Sequence, residues 1–211
     1  MDINDTKTSR NIVIGIGIAF VIIIILQFFS MSNPDPYIQK VKAERAQRDL
    51  FLKESSRSPL SDKQKAEFQG VNYFPILADY QVSASFQPNM VSDTIRLATS
   101  TQEDRAMLLA GTLNFVLKGK SYSLNVYNYL EERFRAQDTW FLPFTDLSTG
   151  KQTYGGGRYL DIVKTNGEVT LDFNQCYHPS CVFNPDYSCP IPPKENHISI
   201  EILAGEKLLS Q

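Results

Sequence analysis

Arg158 stands directly after Gly155-Gly156-Gly157, and Asp172 and Asn174 occupy alternate positions a short way on. Recognition is the chemistry such a set can do. A guanidinium grips a carboxylate or phosphate through two parallel donors. Consecutive glycines let a ligand or another strand approach the backbone closely. Asp and Asn at alternate positions of a strand project from one face of it. Asp146, Tyr154, Tyr159, Tyr177, Glu195, Asn196 and Glu206 lie in the same block, Phe144 to Glu206, among residues that ordinarily make turns. These ten side chains form the candidate binding set, suited to a small polar or anionic ligand. The competing reading is a β-bulge in which Arg158 pairs with Asp172 or Asp161. The glycine run is not a phosphate-binding loop, because no Lys-Ser/Thr follows it and it does not open a helix.

Catalysis finds less support. The chain has two histidines and no G-x-S-x-G elbow. Cys181 with His178 can in principle form a thiolate pair. Asp172 with Glu206, or Asp146 with Asp172, can form a carboxylate pair for acid–base work. Pro179 and Pro185 beside the cysteines favour a structural clasp. The alternatives to a binding protein are therefore a hydrolase using Asp172 or a thiol, and a purely structural envelope domain. The sequence does not specify a reaction.

Four segments make up one compound motif: Thr153–Leu160 as T-Y-x-x-G-R-Y-L, Asp172–Cys181 as D-F-N-x-x-Y-x-P-x-C, Cys189–Asn196 as C-P-x-P-P-x-E-N, and Ala204-Gly205-Glu206. This block closely resembles a bacterial family of unknown function with that signature. The likeness is strongest over Phe141–Lys207 and weaker through Ser58-Pro59-Leu60, Phe68, Tyr73-Phe74-Pro75 and Tyr80–Phe86. The resemblance carries over no activity. Cys181 and Cys189 fall on the family's two cysteine positions. Cys176 and His178 depart from it, where the resemblance implies a small residue and Asn. Outside the cytoplasm a Cys181–Cys189 disulfide would be natural, worth on the order of 2–3 kcal/mol by loop entropy. Cys176–Cys181 is the other pairing, and three cysteines leave one unpaired in a monomer. A metal set of Cys176, His178, Cys181, Cys189 and His197 matches no compact zinc spacing, so neither a metal nor a cofactor is expected.

The elements that must position these residues are mostly strands. Leu113, Phe115 and Leu117 alternate with Asn114, Val116 and Lys118, and Tyr122, Leu124 and Val126 alternate beyond Gly119-Lys120. That predicts a hairpin with a type II′ turn. Asn166-Gly167 predicts a second hairpin, type I′, between Tyr159–Lys164 and Glu168–Asp172. Further strands are expected at Trp140–Phe144 and Ile198–Ile202. Val169, Leu171 and Phe173 should face the core, leaving Asp172 and Asn174 on the opposite face. Pro190, Pro192 and Pro193 form a stiff cover, with Glu195 and Asn196 tying neighbouring loops. The fold class is mainly β, an antiparallel β-sandwich or partly open barrel. Short α-helices and an N-terminal transmembrane helix precede it. Ser61 and Gln64 form a capping box, and Gly70 is expected to close that helix.

Location is read from the N-terminus. Ile12 to Leu26 is an unbroken apolar and glycine run that Phe28 and Phe29 extend. A helix of about 18 residues reaches roughly 27 Å, close to the thickness of a bilayer's hydrocarbon. The alternative is a signal peptide cleaved near Ser30-Met31-Ser32. The expected organisation is a cytoplasmic tail over 1–11, an anchor over 12–29, a helical stalk over 33–57 docked by Leu50, Phe51 and Leu52, and a β-rich domain over 58–211. The domain is expected outside the cytoplasmic (inner) membrane, with a small-molecule ligand or an envelope protein as partner. Net charge is −2, and no run of Lys and Arg appears, so nucleic-acid binding is excluded on electrostatic grounds.

Overall fold

The computed structural model describes residues 16–24, 35–91, 93–131, 138–165 and 168–208. The chain divides into two compact units, Met1–Lys42 and Ala43–Gln211. In the first, residues 16–24 form helix α1, whose Ile16, Ile18, Phe20 and Ile22–Ile24 expose their apolar side chains. No helix among the described residues is long and apolar enough to cross a membrane. The expected anchor over 12–29 lies only partly within the described residues, and the tail over 1–11 lies wholly outside them. Helix α2 spans Pro36–Glu54; of its last turns Leu52 is buried while Leu50 is exposed.

Among the described residues the second unit contains α3 (Asp62–Glu67) and eight strands. The strands are β1 (Gln81–Pro88), β2 (Thr94–Ala98), β3 (Asp104–Leu117), β4 (Lys120–Tyr129), β5 (Thr139–Asp146), β6 (Arg158–Val163), β7 (Glu168–Asp172) and β8 (His197–Ile198). They form one sheet in the order β6-β5-β4-β3-β1-β7, with β2 added to β3 and β8 to β5. Every pairing is antiparallel except β5 with β8. The result is a single, nearly closed barrel-shaped sheet rather than two stacked sheets.

Alternation explains the core. Leu113 pairs with Leu124 and Phe115 with Tyr122, and Leu113, Phe115, Leu124 and Val126 are buried with Leu142, Phe144, Leu160, Val169, Leu171 and Phe173 inside the barrel. The opposite face of β4, β5 and β6 is covered too, by a second cluster of Leu97, Met107, Tyr127, Phe141, Tyr159 and Cys189. Strand β5 is therefore buried on both faces, which accounts for its near-continuous apolar run Trp140–Phe144.

Four local expectations need correction. The β3–β4 turn is Lys118-Gly119, with φ of 49° and 75°; positive φ at both central residues makes it type I′ rather than type II′. Asn166 and Gly167 lie outside the described residues, and β6 and β7 do not pair: β7 ladders with β1, from Gln81 opposite Asp172 to Ser85 opposite Glu168. Helix α3 has the expected capping box of Ser61 and Gln64 but ends at Phe68, not Gly70. A Cβ on Gly70 would lie 3.2 Å from Asp49 Oδ2, so that glycine admits a neighbouring side chain. Finally, the strand expected over Ile198–Ile202 stops at Ile198; the Ile200 carbonyl still accepts the Leu147 N–H at 3.2 Å, and at Ile202 the backbone turns to the side chains of Asp146 and Arg158.

Candidate functional site

Arg158 opens β6 and is fully buried. Its Nη2 donates to Asp146 Oδ2 at 2.8 Å and to the Ile202 carbonyl at 2.7 Å, and its Nη1 donates to the carbonyls of Ala204 at 2.5 Å and Glu206 at 3.2 Å. An extended backbone repeats every two residues, so the carbonyls of 202, 204 and 206 face one side and a planar fork can span them. Asp146 Oδ1 accepts the Ile202 N–H at 3.2 Å and the Ser148 N–H at 2.7 Å. Both terminal nitrogens of Arg158 are thus committed, and the partner is Asp146 on the adjacent strand, not Asp172 or Asp161. No grip on an external anion remains. The glycine run serves chain packing: Gly157 has φ of +82°, and a Cβ there would lie 2.6 Å from the Phe144 carbonyl and 2.7 Å from Pro192 Cγ.

The other expected polar ligands are similarly turned inward. Strand β7 ends at Asp172, and a 3-10 turn over Phe173–Gln175 swings Asn174 into the interior instead of leaving it beside Asp172 on an open face. Asp172 Oδ1 accepts the Asn174 backbone N–H at 3.0 Å. The Asn174 amide bridges Leu77, accepting its N–H at 3.1 Å and donating to its carbonyl at 2.8 Å. Asn196 does the same for Asn125, at 2.8 Å each way, and also donates to Pro143. Glu195 is exposed. Glu206 is buried and accepts from Arg48 Nε at 3.1 Å and from the His178 backbone at 2.7 Å. Arg45 donates to the carbonyls of Phe74 and Asn174. Asp146, Asp172 and Glu206 thus have separate engagements and form no acid–base pair.

His178 Nε2 accepts the Tyr154 backbone N–H at 3.3 Å, so it is not available as a base for Cys181. Its pKa is pushed down to about 3 by burial first and then by Arg158 and Arg48. Burial pushes Glu206 up, against the opposing influence of Arg48 and the His178 N–H. Among the described residues no three His, Cys, Asp or Glu side chains assemble to hold a metal.

An aromatic-lined concavity lies elsewhere, on the outer face of β4, β5 and β6. A lobe of about 210 Å³ is lined by Tyr127, Asn128, Tyr129, Thr139, Phe141, Asp161 and Tyr177. A second lobe of about 420 Å³ shares Tyr129 and Tyr177 with it and adds Arg105, Tyr159, Pro179, Tyr187, Cys189 and Pro190. The rings interlock: Tyr129 and Phe141 have centroids 5.0 Å apart, Phe141 and Tyr159 4.6 Å, and Tyr159 and Tyr177 5.9 Å at right angles. Two backbone hydrogen bonds of 2.9 Å between Tyr159 and Tyr177 fix the last pair. Tyr159 donates its hydroxyl to the Pro190 carbonyl at 2.5 Å, and Tyr177 donates to Asp161 Oδ2 at 2.8 Å. Asp161 is exposed on the groove wall, and crowding by the surrounding protein pushes its pKa up, against the opposing effects of the Tyr177 hydroxyl and Arg48. Asn128 Oδ1 is shielded from solvent and has no donor among the described residues.

Of the ten expected residues, the groove gathers Tyr159 and Tyr177, with Tyr154 near its cysteine edge. Asp146, Arg158, Asp172, Asn174, Asn196 and Glu206 are interior. Tyr127, Asn128, Tyr129, Phe141, Asp161 and Arg105 were missed. Alternation held the signal for most of them: Tyr127 and Tyr129, Thr139 and Phe141, and Tyr159 and Asp161 each project to one face by their spacing.

The cysteines also depart from expectation. All three are free thiols, and the Cys181–Cys189 disulfide is not formed. The two are nevertheless neighbours, with the Cys181 backbone N–H donating to Cys189 Sγ at 3.3 Å. A hydrogen bond occupies the place expected of the covalent link.

Comparison with known proteins gives a consistent but sparse picture. A family model described as "Protein of unknown function (DUF1684)" matches residues 66–207. The chain is similar to the solution NMR structure of an uncharacterised protein from the archaeon Haloarcula marismortui, at 33% identity and a TM-score of 0.64, over 82% of this chain and 94% of that one. No curated protein matches.

The His178 environment predicts an acid-sensitive fold. A histidine held neutral in the folded state must be deprotonated to fold, so its stabilisation is complete above its ordinary value of 6.5 and is lost as pH falls from there towards 3. The limiting slope is about 1.4 kcal/mol per pH unit. Glu206 acts in the opposite direction above its ordinary 4.5, so the net slope is shallower where the two overlap. Urea unfolding between pH 7 and pH 5 should show this decline, and His178→Asn should flatten it; an unchanged slope in the variant contradicts the assignment.

Proposed function

We propose, from the premise that the chain belongs to the DUF1684 family of proteins of unknown function, that it is a binding protein whose site is the tyrosine-walled groove. The ligand is small and donates hydrogen bonds through hydroxyl or ammonium groups. One observation carries this reading: the smaller lobe sets two acceptors, the Asp161 carboxylate and the unpartnered Asn128 Oδ1, among the rings of Tyr127, Tyr129, Phe141 and Tyr177. Acceptors beside aromatic faces suit sugar C–H faces with their hydroxyls, or an ammonium group attracted by the ring quadrupole. The smaller lobe has no cation in its lining, so an anion is a poor fit there, unlike the ligand first suggested by Arg158. Arg105 in the larger lobe can meet a polar substituent of the same ligand.

The membrane-anchored arrangement belongs to the same proposal. The apolar run over 12–29, helical and exposed where it is described, supports a single span with the binding domain outside the cytoplasm. On that reading the full chain stays in the membrane pellet after an alkaline carbonate wash; release into the supernatant contradicts the anchor.

The binding site is tested by NMR titration with a monosaccharide panel and with ethanolamine. Amide shifts should concentrate at Tyr129, Asp161 and Tyr177. Asp161→Asn and Tyr177→Phe should each weaken binding about tenfold, equivalent to ~1.4 kcal/mol, with the unfolding midpoint nearly unchanged. Absence of a response to every probe, or equal binding by both variants, contradicts the proposal.

A further inference from the structure

Cys181 and Cys189 differ in ways that matter for sulfur chemistry. Cys189 is buried and pinned from both sides, its N–H donating to Ser100 Oγ at 3.0 Å and its carbonyl accepting the Ser100 N–H at 2.9 Å. Cys181 is half-buried, in the 3-10 turn Ser180–Val182 that follows Pro179. That turn aims the Cys181 N–H at Cys189 Sγ, and the Tyr154 hydroxyl lies 3.7 Å from Cys181 Sγ.

From this juxtaposition we infer that Cys181 and Cys189 form a thiol–disulfide exchange site, with Cys181 as the attacking sulfur and Cys189 as the resolving one. The co-reactant is a low-molecular-weight or protein disulfide, R–S–S–R. Cys181 thiolate attacks one sulfur of that bond; a Cys181–S–R bond forms, the S–S bond breaks, and one thiolate leaves and is protonated by solvent. Cys189 then loses its proton to solvent and attacks Cys181 Sγ, expelling the second R–S⁻. The protein loses two protons and two electrons in becoming a disulfide, and the co-reactant is reduced to two thiols. Access favours this order, because the more exposed sulfur meets the incoming disulfide and the pinned one waits beside it.

The electrostatics agree with the geometry. The Cys181 thiol is pushed down to about 6, chiefly by its hydrogen bond with Cys189 and further by Tyr154 and Ser100, against the cost of burial. The neighbouring Cys181 sulfur, and then burial, push Cys189 up. Cys176 is the internal control: it is fully buried, donates to the Ala204 carbonyl at 3.4 Å, and burial raises it to about 11. This inference does not depend on the identity of the groove's ligand.

The test equilibrates the reduced full chain in mixtures of reduced and oxidised glutathione. The reaction is quenched with acid, free thiols are alkylated under denaturing conditions, and the product is mapped by peptide mass spectrometry. The expected result is a Cys181–Cys189 disulfide whose fraction rises and falls reversibly with the glutathione ratio, with Cys176 alkylated throughout. Cys189→Ser should trap glutathione on Cys181, whereas Cys181→Ser should leave Cys189 unmodified. Failure of the bond to form at any ratio, a bond that excess reduced glutathione does not reopen, or glutathione accumulating on Cys176 would each overturn the inference. The wild-type map decides the matter even if a variant fails to fold.

Discussion

The backbone from Ile202 to Glu206 must be satisfied although no strand of the barrel ladders with its full length, and the buried Arg158–Asp146 pair does most of that work. Three carbonyls and one amide of this segment end on the two side chains. Leaving a buried carbonyl unpaired costs about 1–3 kcal/mol, so the pair holds a segment that side chains of lesser reach would lose. The consequences run outward. Glu206, fixed at the end of the segment, receives Arg48 and the His178 backbone, and His178 receives the Tyr154 amide. Tyr154 in turn stands beside Cys181. A chain of buried polar contacts thus links the barrel interior to the rim of the groove.

This division of labour explains why the densest polar block is turned inward. Irregular backbone inside a protein needs donors and acceptors, and Arg158, Asn174, Asn196 and Glu206 supply them. The outer face of β4 to β6 stays partly open because the stretch from Tyr177 to Pro190 covers only part of it. Its rings pack edge to face, which leaves tyrosine faces and two oxygen acceptors on the groove wall. The thiol pair lies at the boundary between these two zones, with Cys189 lining the larger lobe.

Much of the barrel was legible from alternation, because burying one face imposes a period of two on β3 and β4 whatever the wider topology. Pairing partners were less legible. Asn166-Gly167 signals a tight connection, but a two-residue signal does not reveal that β1 outcompetes β6 for β7. Ile198, Ile200 and Ile202 carry a strand's pattern, yet from Ile202 the backbone's main partner is a guanidinium, which no periodicity announces. Asp172 and Asn174 shared a face only on the assumption that the strand continued, and the Phe173–Gln175 turn breaks that assumption. The groove was partly encoded in Tyr127, Tyr129, Tyr159 and Asp161, but recognising it required knowing which strands are neighbours. The cysteine pairing was close in space and different in chemistry, since proximity alone does not fix oxidation state.

The central claim is that Arg158 and Asp146 matter as a substitute for a strand neighbour, beyond their attraction for each other. Replacing a buried ion pair with apolar side chains of similar volume is often neutral or stabilising, so the double variant Asp146→Leu, Arg158→Met separates the two roles. Urea unfolding of that variant should show a loss of at least about 3 kcal/mol, because carbonyls of the C-terminal segment are left without donors. Stability equal to that of the unaltered chain would mean that the pair is merely tolerated and that something else holds the segment.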